Sequence, residues 1–316
     1  MVPGLFKAAG RTCGTNLVNP QVLLFVRIMV NPGVKAAAAL ISVVSNTLLI
    51  VTKGAVGLFT GSVSVLAEAI HSAVDLAAAL VAYVAVRVAD QPPDEAHAFG
   101  HGKFENISGT VEALLILAAA AYIGYEAIAR ILHGAGVEHL GIGMGVMLLS
   151  ALANWFVSAR LFKVARETDS IALEADGQHL RLDVYTSIGV LAGLLAVQLT
   201  GVVLIDRILG LGVALWIAWI GFGLSRTALG PLLDLQLPPD EVERIVALIG
   251  SDTRVLGYHK LRTRKSGGQR HVDVHLIVPK AMSLTEAHNL AEEVEDRIRA
   301  ELDNVTILTH VEPEGE

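Results

Sequence analysis

Residues 66–80 read LAEAIHSAVDLAAAL, an apolar run that carries Glu68, His71 and Asp75. The run predicts a buried helix, in which residues four apart lie on the same face. His71 and Asp75 would therefore present an imidazole and a carboxylate side by side. The question raised by the run is why a buried helix would hold ionisable groups at all.

The composition of the chain predicts a membrane protein. Of its 316 residues, 53% are hydrophobic and only 17% are charged, and the mean hydropathy is +0.56. A soluble domain is usually about a quarter charged. The single cysteine, Cys13, excludes an internal disulfide framework and a CxxC metal site. A metal site would have to use histidines and carboxylates.

Six segments are long and apolar enough to cross a membrane, which takes about 20 residues each. They are approximately 36–59, 63–89, 107–132, 140–164, 178–200 and 203–228. From about Leu237 onward the sequence is charged and alternates short strands with amphipathic helices. We therefore predict a lead-in at 1–35, an all-α six-helix transmembrane domain at 36–236, and a cytoplasmic α+β domain at 237–316.

The positive charges predict the orientation, because cytoplasmic loops are enriched in Lys and Arg. The lead-in and the second and fourth loops carry Lys7, Arg11, Arg27, Lys35, Arg87, Lys103, Arg160, Lys163 and Arg166. The other loops offer only Lys53, Arg130 and Arg207 near helix ends. Both termini are expected in the cytoplasm. The stretch VLLFVRIMV in the lead-in is too short to span, so a surface-lying or partly disordered segment is favoured over a seventh helix.

The spacing of His71 and Asp75 recurs at His179 and Asp183, within EADGQHLRLDVYTSIGV of the fifth segment. A charge in the bilayer costs at least a few kcal/mol and usually marks an ion or substrate path. One such residue alone could equally be a polar group hydrogen-bonded between helices. Two copies of the spacing on two helices favour a binding site.

Two imidazoles and two carboxylates form the ligand set that tetrahedral zinc accepts. Zn²⁺ with two carboxylates and two neutral histidines sums to zero charge, and so does the empty site with both histidines protonated. Because imidazole titrates near neutral pH and metal ligands must be deprotonated, metal and protons would exchange at one site. The hypothesis is a metal/proton antiporter.

Other polar residues near these pairs support several interpretations. Glu68 could fix the tautomer of His71 or be a charge near the membrane interface. Asn46 and Asn154 are expected to form hydrogen bonds between helices. Asp176 is expected to be an interfacial charge.

Four motifs in order resemble the cation diffusion facilitators, the zinc-transporter or solute carrier 30 type. They are GSVSVLAEAIHSAVD, DEAHAFGHGKFENI, HLRLDVYTSIGV and GYHKLRTRKSGGQRHVDVHLIV. The resemblance implies six spans, a ferredoxin-like, metallochaperone-like cytoplasmic domain, and a transport site at His71, Asp75, His179 and Asp183. Many members with the FGHGK loop have Asp at the position of His71, and His there goes with preference for zinc over cadmium. The chain looks similar to bacterial iron/zinc exporters of the inner membrane.

The loop between the second and third segments places three possible metal ligands, Asp94, His97 and His101, within eight residues. A helix-capping and salt-bridge loop is the simpler interpretation, whereas the resemblance implies a second metal there. Lys103 and Asp234 match a charge pair that locks the dimer in that family. An ordinary interface lysine and a helix-end aspartate are the alternative.

The C-terminal domain should contain a helix at 239–250, strands at 255–264, 269–278 and 304–311, and a helix that starts with a capping box of Ser283 and Glu286. The resemblance implies a cytoplasmic metal site there, in a domain that forms a homodimer and binds Zn²⁺ as a regulatory ligand. Its ligands would be His259, His275, His288, His310 and Glu312, the last of which is often Asp in the family. His133, His139 and His271 match no site and are expected to be ordinary surface residues.

The function predicted by these features is export of Zn²⁺ from the cytoplasm in exchange for protons, by alternating access. A transporter of Fe²⁺, Mn²⁺, Co²⁺ or Cd²⁺ and a metal-sensing scaffold without transport are the alternatives. An intramembrane metalloenzyme is disfavoured because no HExxH occurs. Nucleic-acid binding is unsupported, since the net charge is −7 and no basic stripe appears.

Overall fold

The computed structural model describes residues 33–61, 63–133 and 142–315. The predicted lead-in therefore lies almost wholly outside the described residues, as does His139. Six long helices come first along the described chain. They are α1 (Val34–Thr60), α2 (Val63–Ala89), α3 (Lys103–His133), α4 (Ile142–Thr168), α5 (Ile171–Thr200) and α6 (Val203–Leu229).

All six helices are long and apolar enough to cross a membrane, which confirms the six predicted segments. Two helices begin earlier than their apolar stretches indicated. The first turn of α3 stays helical because Glu105 is buried and binds Lys35 of α1, with Nζ and Oε1 2.8 Å apart. The start of α5 is fixed by Ser170, whose side chain caps the helix by accepting from the backbone N–H of Leu173.

The six helices form one bundle in which α1 packs on α2, α3 on α6, and α4 on α5. Small residues at the contacts let these helices approach closely. One buried cluster joins Ala39 of α1, Val86 of α2, Leu161 of α4 and Leu173 of α5. These residues lie toward the bundle end from which the chain enters the C-terminal domain. That end of the bundle is therefore the tightly closed one.

A short 3₁₀ helix (Gly230–Leu233) connects the bundle to the α+β domain. The domain consists of α7 (Pro239–Gly250), β1 (Gly257–Ser266), β2 (Gln269–Val278), α8 (Leu284–Glu301) and β3 (Val305–Pro313). The strands form a sheet in the order β1, β2, β3, antiparallel between β1 and β2 and parallel between β2 and β3. The capping box of Ser283 and Glu286 is present at the start of α8. The predicted fold class, a six-helix bundle followed by a small α+β domain, is confirmed.

One face of the sheet packs against α7 and α8, and none of the helices that the structure describes forms part of a core on the other face. Alternate β2 residues, including Val272 and Val274, share a core with Ile245 of α7 and Leu290 of α8. Because side chains along a strand alternate between faces, the intervening residue His275 lies on the opposite face. This alternation places His259, His275 and His310 of the strands away from the hydrophobic core.

The turn between β1 and β2 docks on the bundle. The backbone N–H of Gly267 donates to Oδ1 of Asn106 on α3 at 2.8 Å. Lys265 and Arg270 both form ion pairs with Asp169, which lies between α4 and α5, at 2.7 and 3.1 Å. The sheet is thus attached to the start of α3 and to the α4–α5 turn.

Candidate metal centres

The first candidate centre lies between α2 and α5. Nε2 of His71 is 3.9 Å from Oδ1 of Asp75 and 3.9 Å from Oδ1 of Asp183. One ligand atom from each of these three residues lies within 4.8 Å of the others, close enough to hold one metal ion. His179 is outside this group of three but contacts it, with Nε2 3.2 Å from Oδ1 of Asp75. The structure therefore gathers all four predicted residues around Asp75.

A cavity of about 340 Å³ leads to this cluster. It is lined by His71, Asp75 and Asp183 and by residues from the ends of the helices that lie away from the α+β domain, such as Arg207 near the start of α6. The side chain of His71 in the cavity is 51% exposed, whereas that of His179, which contacts Asp75, is only 8% exposed. The cluster is therefore open toward the end of the bundle opposite the α+β domain and closed on the other side.

The polar residues around the cluster differ in part from expectation. Asn154 does connect helices, since its Nδ2 donates to Oδ2 of Asp183 at 3.5 Å. Asp176 is 1% exposed and accepts from Ser42 of α1, so the expected interfacial position was wrong. One helical turn before His179, it faces the interior because α5 begins well before its apolar stretch.

Lys53 was expected near a helix end, but its side chain is buried within α1. Its Nζ lies 3.1 Å from Oε2 of Glu68 and donates to Oγ of Ser72 at 2.9 Å. Glu68 therefore forms an ion pair with a lysine at the cavity wall. Burial of a lysine in a spanning segment is tolerated because these partners satisfy it.

None of the sequence motifs points to Glu112 on α3. It is fully buried, and its Oε2 lies 3.7 Å from Nδ1 of His179. The signal that could have found it is the single acidic residue in GTVEALLILAAAA, because an ionisable residue inside a spanning segment is a candidate functional group by default.

The second candidate centre is the loop between α2 and α3. Oδ1 of Asp94 is 3.2 Å from Nδ1 of His97, and Oδ2 is 3.4 Å from Nε2 of His101. The three residues form a group that could hold a metal ion. Backbone N–H donation from His97, together with its side chain, lowers the pKa of Asp94, so this carboxylate is ionised and ready to accept a cation.

The third candidate centre lies on the helix-free face of the sheet. His259, His275 and His310 are directly opposite one another on β1, β2 and β3. Glu312 joins two of them, with Oε2 2.7 Å from Nε2 of His259 and Oε1 2.6 Å from Nδ1 of His275. Hydrogen bonds from His275 and His259 lower the pKa of Glu312. His310 is farther, with Nε2 3.7 Å from Oε1.

Three further predicted residues stand apart from these centres. His288 lies on α8 beside Glu292, with Nε2 and Oε1 3.5 Å apart, and is not gathered into the sheet cluster within this chain. Lys103 and Asp234 do pair, with Nζ and Oδ1 2.9 Å apart, and Arg264 of β1 joins them at 3.3 Å. This pair therefore links the start of α3 to the connector and the sheet.

One histidine predicted to lie on the surface is buried instead. His271 of β2 is 9% exposed, and its ring packs edge-on against Phe99 at 5.8 Å between centroids. The prediction was wrong because the α2–α3 loop covers the helix-free face of the sheet at this point. Burial lowers the pKa of His271.

Six spanning helices around a half-open His/Asp cluster define a class of protein, the membrane transporters of cations. Residues 39–233 match the family model described as the cation efflux transmembrane domain, and residues 237–314 match that of the cation efflux protein, cytoplasmic domain. The chain belongs to the cation diffusion facilitator family. It is therefore an integral membrane cation efflux transporter and not an enzyme.

Among its relatives is "Uncharacterized transporter sll1263" of Synechocystis, 34% identical over 80% of this chain and 82% of that protein. "Cation-efflux pump FieF" of Yersinia pestis is 34% identical over 89% of this chain and 93% of that protein. A solved structure titled "Mode of Action of a Putative Zinc Transporter CzrB" is 38% identical and covers 25% of this chain and 99% of that one, with a TM-score of 0.25.

Proposed function

We propose that this transporter exports Zn²⁺ from the cytoplasm in exchange for protons, and that His71, Asp75, His179 and Asp183 form its transport site. The observation that carries the proposal is the convergence of ligand atoms from His71, Asp75 and Asp183 within 4.8 Å at a cavity that opens to one end of the bundle. Nitrogen ligands favour zinc and its transition-metal neighbours over magnesium or calcium.

Proton exchange follows from the ligand chemistry. Metal ligands must be deprotonated, so binding of zinc releases protons and protonation releases zinc. The two carboxylates balance either one Zn²⁺ or two protonated histidines. The closed core between α1, α2, α4 and α5 would open while the cavity closes, so that the same cluster faces each side in turn.

The remaining assignments complete the proposal. A second zinc binds at Asp94, His97 and His101. Regulatory zinc binds in a cytoplasmic domain at 237–316, and its ligands are His259, His275, His310 and Glu312. His288, on α8 of the same domain, is the fifth ligand of the regulatory site. The protein acts as a homodimer, with the Lys103–Asp234 pair holding α3 to the connector next to the dimer contact. Both termini lie in the cytoplasm. Reporter fusions at each end of the chain test this orientation.

The test is zinc flux into liposomes that contain the purified protein and an entrapped zinc dye, with and without an imposed proton gradient. Flux should depend on the gradient and fall by at least about tenfold in Asp183→Ala, because a bound cation loses a charged ligand. The control is Glu167→Ala, which removes an exposed carboxylate at the end of α4 and should leave flux unchanged. Zinc flux that is the same with and without the proton gradient would contradict the antiport.

Metal selectivity is tested in the same liposomes with Fe²⁺, Mn²⁺, Co²⁺ and Cd²⁺. Zinc should be preferred over the first three, and His71→Asp should shift the preference toward cadmium and iron, because a carboxylate replaces an imidazole. Transport of one of these metals without transport of zinc would make it the substrate instead.

A further inference from the structure

Glu112 is a fully buried carboxylate of α3 that the transport chemistry described above does not use. Neither of its oxygens has a hydrogen-bond partner among the residues that the structure describes. Its Oε2 lies within ion-pair distance of His179, 3.7 Å from Nδ1. A buried carboxylate without a hydrogen-bond partner is costly, so its position behind a metal-ligand histidine calls for a role.

The ring of His179 lies between two carboxylates. Its Nε2 is 3.2 Å from Oδ1 of Asp75, on the side of the metal cluster, and its Nδ1 faces Glu112. A neutral imidazole carries its proton on one nitrogen and a lone pair on the other, and the partner of the first nitrogen decides which. If Nε2 carried the proton, it would donate to Asp75 and could not bind metal.

From this geometry we infer that Glu112 positions His179 for metal binding. Glu112 accepts the Nδ1–H of His179, which leaves the lone pair of Nε2 directed at the metal beside Asp75. Histidines that bind metal generally donate their other ring N–H to such a carboxylate or carbonyl. The present distance between Nδ1 and Oε2 exceeds that of a hydrogen bond by roughly half an ångström. A small rotation of either side chain would close this gap when Nε2 binds the metal.

The packing of α3 and α5 keeps this pair in place. Ala113 and Ile116 of α3 are buried in one cluster with Ala175 and Leu182 of α5. The two packed helices therefore keep Glu112 and His179 opposite each other. His71, by contrast, lies half exposed on the cavity side. The site thus has one rigid, oriented histidine and one accessible histidine.

This inference rests on the proposed transport site, and its test separates the two. The test uses the full chain with Asp94→Ala and His275→Ala, which silence the other two candidate centres, and measures zinc affinity by competition with a fluorescent chelator. Glu112→Leu should weaken zinc binding about 10–100-fold, and Glu112→Gln, whose amide oxygen still accepts an N–H, should stay within about threefold of the parent. The helical content of each variant and its size-exclusion elution in detergent show whether it is folded.

A second measurement needs no variant at Glu112. With zinc bound to the parent protein, ¹⁵N spectra of labelled histidine should show the proton of His179 on Nδ1, with the His179 signal identified by its loss in His179→Ala. A zinc-bound His179 that is protonated on Nε2 would overturn the inference even if Glu112→Leu fails to fold.

The outcomes distinguish the two proposals. If the parent binds zinc and loses it in His179→Ala, while Glu112→Leu binds as tightly as the parent, the positioning role is wrong and the transport site stands. Glu112→Gln binding as weakly as folded Glu112→Leu would also overturn the positioning role. If the parent binds no zinc, both proposals fall.

Discussion

At the scale of single residues, Glu312 explains how histidines from different strands can share one centre. Its two oxygens reach His275 and His259 at 2.6 and 2.7 Å. The side chain must be long to do so, because it lies on β3 while His259 lies on β1, two strands away. A bulge in β1 between His259 and Arg262 shifts the register beside this centre.

Shortening Glu312 to aspartate should therefore weaken the sheet site. We predict that Glu312→Asp lowers its zinc affinity about tenfold, because the carboxylate can no longer reach both histidines. The measurement is a zinc titration of the full chain carrying Asp183→Ala and Asp94→Ala. Glu314→Asp makes the same change two residues on, at an exposed position, and should have no effect. An unchanged affinity in Glu312→Asp would show that the carboxylate is not a ligand.

The Lys103–Asp234 pair predicts a pH dependence. Lys103, with Arg264, holds the pKa of Asp234 below its ordinary value. Because the folded pKa is the lower one, the pair stabilises the folded state above the unfolded aspartate pKa of about 3.9 and loses this contribution as pH falls below it. Asp234→Asn should thus lower the free energy of unfolding by the same amount at every pH from 5 to 8. The loss should be no more than about 1 kcal/mol, because the pair is exposed.

The deciding comparison is the difference in melting temperature between Asp234→Asn and the parent across that range. A difference that disappeared already at pH 5 would contradict this assignment. The ion pair Arg244–Asp240 on α7 offers a control, since Asp240→Asn alters a pair of similar length, 3.1 Å, at a site remote from the connector.

At the scale of elements, the β1–β2 turn is the point where the sheet meets the bundle. Gly267 has φ +57°, and a Cβ there would lie 2.7 Å from the backbone oxygen of Gly102. Only glycine fits because the left-handed conformation and the close approach both exclude a side chain. The close contact with Gly102, which precedes α3, thus requires glycine at this position of the turn.

Gly267→Ala should lower the free energy of unfolding by about 1–3 kcal/mol, the usual cost of a strained backbone position. Thermal unfolding in detergent measures the effect. The matched control is Gly250→Ala at the end of α7, where a Cβ meets nothing within 4 Å and should be neutral or slightly stabilising. Equal melting temperatures for both variants would show that the turn is not docked as described.

At the scale of the whole molecule, the bundle is open at one end and closed at the other. The cavity that reaches His71 lies away from the α+β domain, whereas the core around Ala39 and Leu173 closes the nearer end. This asymmetry is what one state of the proposed alternating-access cycle would show. It makes a direct prediction about solvent access.

A cysteine placed in the cavity should react with a membrane-impermeant thiol reagent, and one placed in the closed core should not. In a Cys13→Ser background, Ser187→Cys at the cavity wall should be labelled at least about tenfold faster than Ser42→Cys, which is fully buried in α1. Intact cells, which expose one side of the membrane, supply the assay. Equal labelling of the two would contradict a cavity open at one end.

The sequence by itself determined the number of spans, the α+β domain and the His/Asp pairs. Hydrophobic length fixes a spanning helix almost regardless of context, the spacing of His71 and Asp75 fixes a shared helix face, and strand alternation fixes which residues share a sheet face. These are local rules, and the structure confirms the six helices and the fold class.

Only the tertiary structure decided what surrounds those residues. The contact of His179 with Asp75 joins positions 104 residues apart, and the approach of Glu112, the burial of Asp176 and Lys53, and the covering of His271 by the α2–α3 loop likewise depend on how separate elements pack. Helix spacing gives the face of a residue but not which other helix meets that face. The partner is selected by long-range packing, which periodicity along the chain does not encode.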